Sequence, residues 1–275
     1  MSSPEIEEVR QRLIAAPGQS FELSSRDSGD RELFPDKKHA RKQLQVDAGA
    51  IDELQDLLYA CRQRALLVVL QGMDTSGKSG VIRNVFAQTS PLGVKVKAFK
   101  APSKEELAHD YLWRVHEAVP PKGIIGIFDR SHYEDVLVVK VRNFAPAEMV
   151  EQRYEQINQF EKLLTENGVT ILKFMLHIGH EKQGERLKER VTEPHKRWKF
   201  NPGDLEDRKL WPDFMAAYET MVNRCSTPWA PWYVIPSDSR TRRNAAIARI
   251  VRGTLEDMKL DWPQLELRAE DYDFS

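Results

Sequence analysis

Apolar and polar positions along the chain predict alternating strands and helices. Residues Ala65 to Leu70 are continuously apolar and lead into Gly72, a pattern typical of a strand buried on both faces of a parallel sheet. Four further short apolar runs predict the remaining strands, at Val94–Phe99, Ile124–Phe128, Thr170–His177 and Trp232–Ile235. Strand–helix alternation of this kind predicts an α/β fold, with a parallel sheet of about five strands covered by helices on both faces.

The segments between these strands carry helical periodicity and helix-boundary signals. Apolar residues recur at three- and four-residue spacing between Asp36 and Arg64, and Gly80–Gln88 can be helical directly after the first strand. Ser103 and Glu106 have the spacing of a capping box. Three later helices are expected at Pro146–Gly168, Leu205–Arg224 and Arg240–Met258.

The same pattern predicts how the chain is organised. Residues 1–36 are polar and contain two turn-prone stretches, which favours an extended or partly disordered N-terminal segment. Residues 37–275 contain no internal repeat and no clear linker, so we expect a single domain. Within that domain, a charged segment at about residues 182–209 is the candidate for a lid.

Composition and charge exclude several classes of protein. The 41 Lys and Arg nearly balance the 42 Asp and Glu, which argues against a nucleic-acid-binding protein. The longest apolar run is far shorter than the roughly 20 residues that span a bilayer, so no membrane partner is expected. The two cysteines form no disulfide framework, and the first residues lack the apolar core of a signal peptide. These features predict a cytoplasmic protein.

The first predicted strand leads into a phosphate-binding motif. Residues 72–79 read GMDTSGKS and match G-x-x-x-x-G-K-[ST] at every required position. Glycines in such a loop let backbone N–H groups point at phosphate oxygens, and the following helix adds its positive end. Lys78 would contact the phosphates nearest the reaction, and Ser79 would offer its hydroxyl to Mg²⁺. The other loop residues expected to bind phosphate or nucleotide are Gly72, Thr75, Ser76 and Gly77.

Acidic side chains accompany this motif. Bound phosphate would repel Asp74, so we expect Asp74 to bind Mg²⁺ or to face a cation, the alternative being a side chain turned to solvent. Asp129 follows an apolar strand, which is the Walker B arrangement, and can hold Mg²⁺ there. Arg130 is placed to contact the transferred phosphate. Glu134 is either a further metal ligand or a negative charge at a helix start.

A basic segment follows the fourth predicted strand. From Lys182 to Lys209 the chain carries nine Lys or Arg against six Asp or Glu. Such a segment is either solvated surface or a lid that closes over a polyanion and supplies cations to it. The residues that would bind phosphate from this lid are Arg186, Arg190, Lys196, Arg197, Arg208 and Lys209.

Taken together, these motifs resemble the polyphosphate kinase 2 family. The resemblance covers Leu54 to Leu255 and rests on six peptides: GMDTSGK at 72–78, DYLWR at 110–114, FDRSHYEDV at 128–136, KRWKF at 196–200, GDLEDR at 203–208 and APWYVIP at 230–236. It implies a three-layer P-loop kinase fold with a helical lid. By motif position it also implies core roles for Asp74, Lys78, Asp129 and Arg130, and lid-side cations at Lys196, Arg197 and Arg208.

The resemblance further implies an activity and its partners. The expected reaction is Mg²⁺-dependent phosphoryl transfer between inorganic polyphosphate and a nucleotide, with ADP or GDP as acceptors and AMP as a further one. The family often forms homo-oligomers, so a dimer or tetramer is expected. Some relatives carry Asn where Asp129 stands and others carry Asp, so this position leaves the preference between mono- and diphosphates open.

Other functions fit parts of the sequence. The nearest is a P-loop kinase that uses ATP to phosphorylate a nucleotide or a small metabolite. A nucleotide-hydrolysing switch or motor would also need the loop, but the chain has no Asn-Lys-x-Asp guanine signature. A nucleic-acid-binding module could use residues 182–209, although the near-neutral charge argues against it.

Overall fold

The strands of the protein form one mixed sheet in a computed structural model that describes residues 3–265 and residue 273. In chain order they are β1 (Ile14–Ala15), β2 (Ala65–Gln71), β3 (Val94–Ala98), β4 (Ile125–Asp129), β5 (Val169–His177) and β6 (Trp232–Pro236). Their order across the sheet is β1-β6-β5-β2-β4-β3, and β2 to β6 run parallel. The five predicted strands are therefore all present, each within one residue of its predicted bounds.

Helices cover both faces of this sheet. They are α1 (Pro4–Leu13), α2 (Lys37–Cys61), α3 (Lys78–Val85), α4 (Trp113–His116), α5 (Val138–Val141), α6 (Ala147–Glu166), α7 (His180–Thr192), α8 (Gly203–Lys209), α9 (Trp211–Cys225) and α10 (Arg240–Asp257). Short 3₁₀ helices lie at Leu23–Ser25, Glu106–Ala108, His132–Val136 and Pro194–Lys199. Among the described residues, none of the helices is both long and apolar enough to cross a membrane.

The alternation of side chains along β2 explains the three layers. Leu67 and Val69 point into a core formed with α6 and α9. Leu66, Val68 and Leu70 point into a second core, on the opposite face, formed with α2, α3 and α10. A strand buried on both faces reads as a continuous apolar run, which is why the sequence revealed it.

The N-terminal segment corrects the sequence-based expectation. Instead of an extended or partly disordered lead-in, α1 buries Ile6, Val9 and Leu13, and β1 adds a sixth strand antiparallel to β6. The apolar positions of α1 are few and most of its other residues are charged, so the segment's polarity concealed its amphipathic spacing. Residues 1 and 2 of the predicted segment lie outside the described residues.

The predicted helix at Leu205–Arg224 is also divided. The chain forms α8 and α9 with a break at Leu210, and Pro212 lies in the first turn of α9. Proline lacks an N–H and clashes with the preceding turn, so it starts a new helix instead of continuing the old one. The break allows α8 to lie with α7 over the carboxyl edge of the sheet while α9 packs in the core.

Candidate active site

The P-loop, residues 72–79, joins β2 to α3 in a conformation that its glycines permit. Gly72 has φ of 148° and Gly77 has φ of 108°. A Cβ on Gly72 would lie 2.7 Å from the carbonyl oxygen of Leu176, and one on Gly77 would lie 1.9 Å from Nη1 of Arg243. Both positions therefore need glycine for their backbone angle and for space. The loop ends at the start of α3, as phosphate binding requires.

Lys78 lies at the base of the loop. Its side chain is only 7% exposed, and Nζ donates a hydrogen bond of 2.7 Å to the carbonyl oxygen of Gly72. Burial, together with the nearby charge of Arg130, lowers the pKa of Lys78 below its usual value. Asp74 and Asp129 oppose that shift by attracting the ammonium group. Lys78 is thus held where a phosphate bound in the loop would meet it.

Arg130 links the end of β4 to the loop. It adopts a left-handed backbone angle, φ 65°, and its Nη2 donates to Oδ1 of Asp74 at 2.7 Å. Its Nη1 donates to Oε2 of Glu134 at 3.4 Å. Burial would raise the pKa of Asp74, but the charges of Lys78 and Arg130 outweigh it, so this pKa lies below its usual value. Asp74 therefore faces a cation, one of the arrangements expected from the sequence, and is not turned to solvent.

Ser79 and Asp129 come together because β2 and β4 are neighbours. Leu70 and Asp129 lie in register, so the loop after β2 is beside the end of β4. Ser79 Oγ donates to Asp129 Oδ2 at 3.3 Å. Within residues 3–265 and 273, no group of three or more His, Cys, Asp or Glu could hold a metal ion. Ser79 and Asp129 nevertheless fit Mg²⁺, which commonly takes one or two protein ligands and completes its shell with water and substrate phosphates.

A cavity of about 380 Å³ opens above the P-loop. Eight basic side chains and three acidic ones line it. The cavity unites most of the residues predicted from the sequence: Asp74, Thr75, Gly77, Lys78, Ser79, Asp129, Arg130, Arg186, Arg190 and Lys196. Its surplus of positive charge suits a polyanion.

The segment predicted to be a lid folds into α7, the 3₁₀ helix at Pro194–Lys199, and α8. Arg186 ties α7 to the loop by donating to the carbonyl oxygen of Thr75 at 2.9 Å. Arg190 donates to Oδ2 of Asp204 in α8 at 2.7 Å. Burial and the charge of Asp74 raise the pKa of Asp204 to about 6. Lys196 reaches Glu189 at 3.0 Å and Glu193 at 2.8 Å.

Several predicted residues lie outside the cavity lining. Gly72 and Ser76 form the back of the P-loop, and Glu134 contacts Arg130. The three remaining basic candidates bond to neighbouring parts of the lid: Arg197 donates to Val191, Arg208 donates to His180 and Gln183, and Lys209 pairs with Glu206.

The cavity also contains residues that sequence reasoning did not select. Glu189 was not singled out, and neither were Arg240 and Arg243 at the start of α10. Residues 240–243 read RTRR and follow the end of β6 after three intervening residues, which is the signal that could have revealed the last two. All carboxyl ends of parallel strands share one edge of the sheet, so a basic helix start after the last strand lies near the P-loop.

A phosphate-binding loop, an acidic strand end beside it and a basic lid together define a P-loop phosphotransferase. The family described as Polyphosphate kinase 2 (PPK2) matches residues 34–263. The chain belongs to the polyphosphate kinase 2 family, as the motifs predicted.

Similar proteins cover nearly the whole chain. An AMP/ADP-polyphosphate phosphotransferase from Meiothermus ruber is 48% identical over 92% of this chain and 96% of its own length. An ADP-polyphosphate phosphotransferase from Rhodopseudomonas palustris is 37% identical over 84% of each chain. The crystal structure of polyphosphate kinase 2 from Arthrobacter aurescens superposes with a TM-score of 0.92, at 38% identity over 96% of this chain and 94% of that one. This match confirms the predicted P-loop kinase fold.

Proposed function

We propose that the protein transfers phosphoryl groups between inorganic polyphosphate and nucleoside mono- or diphosphates, with AMP, ADP and GDP as candidate acceptors. The observation that carries the proposal is the row of cations that continues from the P-loop into the lid. A chain of phosphates offers negative charge at regular intervals, whereas a nucleoside triphosphate ends in an uncharged base and sugar. The names of the relatives, which pair polyphosphate with AMP or ADP, support this choice.

Positioning and charge compensation account for the chemistry. The terminal phosphate oxygen of a nucleotide is already ionised at neutral pH, so the attacking group needs no strong general base. The barrier is the repulsion between two polyanions that must meet in line. Lys78 at the base of the loop would compensate charge on the donor phosphates. Arg130, which Asp74 orients through a 2.7 Å hydrogen bond, would meet the transferred group from the β4 side.

Magnesium is the cofactor that the site would hold. Ser79 and Asp129 would bind it at the mouth of the P-loop, since their oxygen atoms are adjacent and line the cavity. Asp74 and Glu134 both accept hydrogen bonds from the guanidinium of Arg130. We therefore propose that they orient Arg130 and do not bind the metal. When bound, Mg²⁺ supplies charge neutralisation between neighbouring phosphates.

The assignment of Asp129 can be tested with Mg²⁺ titrations. Asp129→Asn should shift the Mg²⁺ concentration for half-maximal activity upwards, on the order of tenfold, because an ionic ligand becomes a neutral one. Asp74→Asn should instead lower activity at every Mg²⁺ concentration. Superimposable titration curves for Asp129→Asn and wild type, after scaling, would show that Asp129 does not hold the metal.

One donor experiment separates polyphosphate from the ATP-dependent alternative. Purified protein is incubated with Mg²⁺ and ADP, with and without polyphosphate, and ATP is measured; a parallel reaction offers ATP as donor to AMP or to small metabolites. We expect ATP to form only when polyphosphate is present. ATP-dependent phosphorylation of another acceptor, without turnover of polyphosphate, would favour the alternative kinase. Homo-oligomer formation, as a dimer or tetramer, remains a prediction that light scattering can test.

A further inference from the structure

Two buried arginines lie beneath the P-loop. Arg243 on α10 is 2% exposed and Arg186 on α7 is 5% exposed. The guanidinium of Arg243 packs directly against Gly77, where even a methyl group would clash with Nη1. Both arginines also reach the lining of the phosphate cavity. Their positive charge therefore lies just behind the loop that would hold phosphate.

The hydrogen-bond partners of these two guanidiniums are neutral. Arg243 donates to the carbonyl oxygen of Ser76 at 2.7 Å and, from Nε and Nη2, to the side-chain oxygen of Asn244 at 3.1 and 2.8 Å. Arg186 donates to backbone carbonyl oxygens, including those of Thr75 and Ser237. Within the part of the chain that the structure describes, neither forms an ion pair. A buried charge without a counter-charge is costly, so this arrangement needs a reason.

The electrostatics agree with this description. Burial, followed by the charges of Arg186 and Arg240, lowers the pKa of Arg243 to about 9. Burial and the charge of Arg240 lower the pKa of Arg186 to about 10, against the weaker attraction of Asp238, Glu189 and Glu185. Each arginine thus experiences desolvation and repulsion more strongly than attraction. A bound anion would supply the counter-charge that these two arginines lack.

Another arginine of the same helix provides the contrast. Arg249 is also buried, at 6% exposure, yet its Nε donates to Oδ2 of Asp47 at 3.0 Å and its Nη1 contacts Glu5 at 3.1 Å. Asp47 is itself fully buried. Helix α10 therefore contains one buried arginine, Arg249, that is paired with carboxylates of the protein, and another, Arg243, that is not.

We propose that Arg243, with Arg186, couples phosphate binding to the stability of the protein. The two guanidiniums are held uncompensated behind the P-loop, and the phosphate chain bound in front of it is their counter-charge. Ligand-free protein bears the cost of their burial, and the bound polyanion removes it. The nature of the anion rests on the proposed function, whereas the coupling rests on the burial and partners of the two side chains.

Thermal unfolding with inorganic tripolyphosphate, without nucleotide or Mg²⁺, tests this coupling. Arg243→Met removes the charge while keeping a side chain of similar length, and Arg186 still lies within 3.4 Å of the Ser76 carbonyl oxygen. We expect Arg243→Met to unfold, without ligand, at the same or a higher temperature than wild type. Its stabilisation by tripolyphosphate should be much smaller, with a Kd on the order of tenfold or more weaker. Arg243→Lys, which keeps the charge, should restore most of the ligand-induced increase.

Arg249→Met is the matched control. It should lower the ligand-free unfolding temperature, because it removes one of the two arginines that pair with the buried Asp47 and leaves only Arg252, and it should leave the tripolyphosphate-induced increase unchanged. The proposal is overturned if Arg243→Met keeps the wild-type Kd and the wild-type increase, or if it destabilises ligand-free protein as much as Arg249→Met does. If Arg243→Met does not fold, Arg243→Gln replaces it with the same expected loss of binding.

The outcome is separable from that of the proposed function. If tripolyphosphate stabilises wild type through Arg243 but polyphosphate donates to no nucleotide, the coupling holds and the proposed function fails. If the enzyme transfers phosphate from polyphosphate while Arg243→Met binds tripolyphosphate like wild type, only the coupling fails.

Discussion

Two clusters of buried charge in this protein are built in opposite ways. The core cluster (Lys173, Glu161, Tyr133 and His132) lies between the sheet and α6, where Lys173 donates to Glu161 at 2.6 Å and to the Tyr133 hydroxyl at 2.7 Å. Its third hydrogen bond, 2.7 Å, goes to the carbonyl oxygen of Cys225. The loop arginines (Arg186 and Arg243) are almost as deeply buried but have only neutral oxygen partners.

The difference indicates what each cluster is for. In the core cluster every donor of Lys173 has an acceptor, and Glu161 also faces His132 at 3.2 Å, so the charges are complete without a ligand. Burial would raise the pKa of Glu161, yet Lys173 and His132 hold it below its usual value. The cluster thereby anchors the turn that follows Asp129 and Arg130. A buried cluster whose charges are paired maintains structure, whereas buried cations without a counter-charge leave a place for an anion.

The largest effect is expected at Lys78. Lys78→Ala should reduce phosphoryl transfer by on the order of a thousandfold, because it removes the buried cation that would meet the reacting phosphates. The fold should persist, because the alanine leaves space for water beside the Gly72 carbonyl oxygen at the open cavity. Steady-state kinetics and circular dichroism together check this prediction. Turnover near the wild-type rate in the folded variant would remove Lys78 from the mechanism.

The core cluster should respond through stability. Lys173→Met leaves Glu161 charged in the apolar interior, so the free energy of unfolding should fall by about 3–5 kcal/mol in urea denaturation. Replacing both partners, as Lys173→Met with Glu161→Leu, should recover much of that loss, because no unpaired charge then remains. For Arg243→Met, by contrast, we expect no loss of stability in the ligand-free protein, so the two variants distinguish the clusters. A double variant as unstable as the single one would mean that packing, not charge, holds this site together.

The lid offers a pair of adjacent cations with different surroundings. Lys196 lines the cavity, whereas Arg197 bonds to the carbonyl oxygen of Val191 outside it. Lys196→Ala should lower kcat/KM for polyphosphate by about tenfold or more, the worth of one charge-assisted contact. Arg197→Ala should change it much less. Equal losses in the two variants would show that the lid reorganises when polyphosphate binds.

Local patterns made much of this architecture predictable. The P-loop is one continuous peptide whose glycines define its geometry, and β2 is an uninterrupted apolar run, so neither required knowledge of distant contacts. Which of the Lys196 and Arg197 side chains faces the cavity could not be predicted. The segment forms a 3₁₀ helix, in which the side chains of neighbouring residues point about 120° apart. Arg243 could not be assigned either, since its burial depends on how α10 packs behind a loop more than 160 residues earlier in the chain.

The smallest expected effect concerns Glu189, an acid within the basic cavity. Its Oε2 accepts hydrogen bonds from Lys196 at 3.0 Å and from Arg240 at 2.9 Å, so it occupies two cations that polyphosphate would use. Burial would raise the pKa of Glu189, but these two partners hold it below the usual value, and the carboxylate stays charged at neutral pH.

Glu189→Gln removes the competing charge while keeping a hydrogen-bond acceptor. Because the Glu189 side chain is partly exposed to solvent, KM for polyphosphate should fall only about two- to threefold, with kcat unchanged. The effect should disappear at high salt, where exposed charges are screened. A rise in KM would instead mean that Glu189 holds Lys196 and Arg240 in place for the substrate. The loss of kcat/KM in Lys196→Ala would then include the loss of that arrangement.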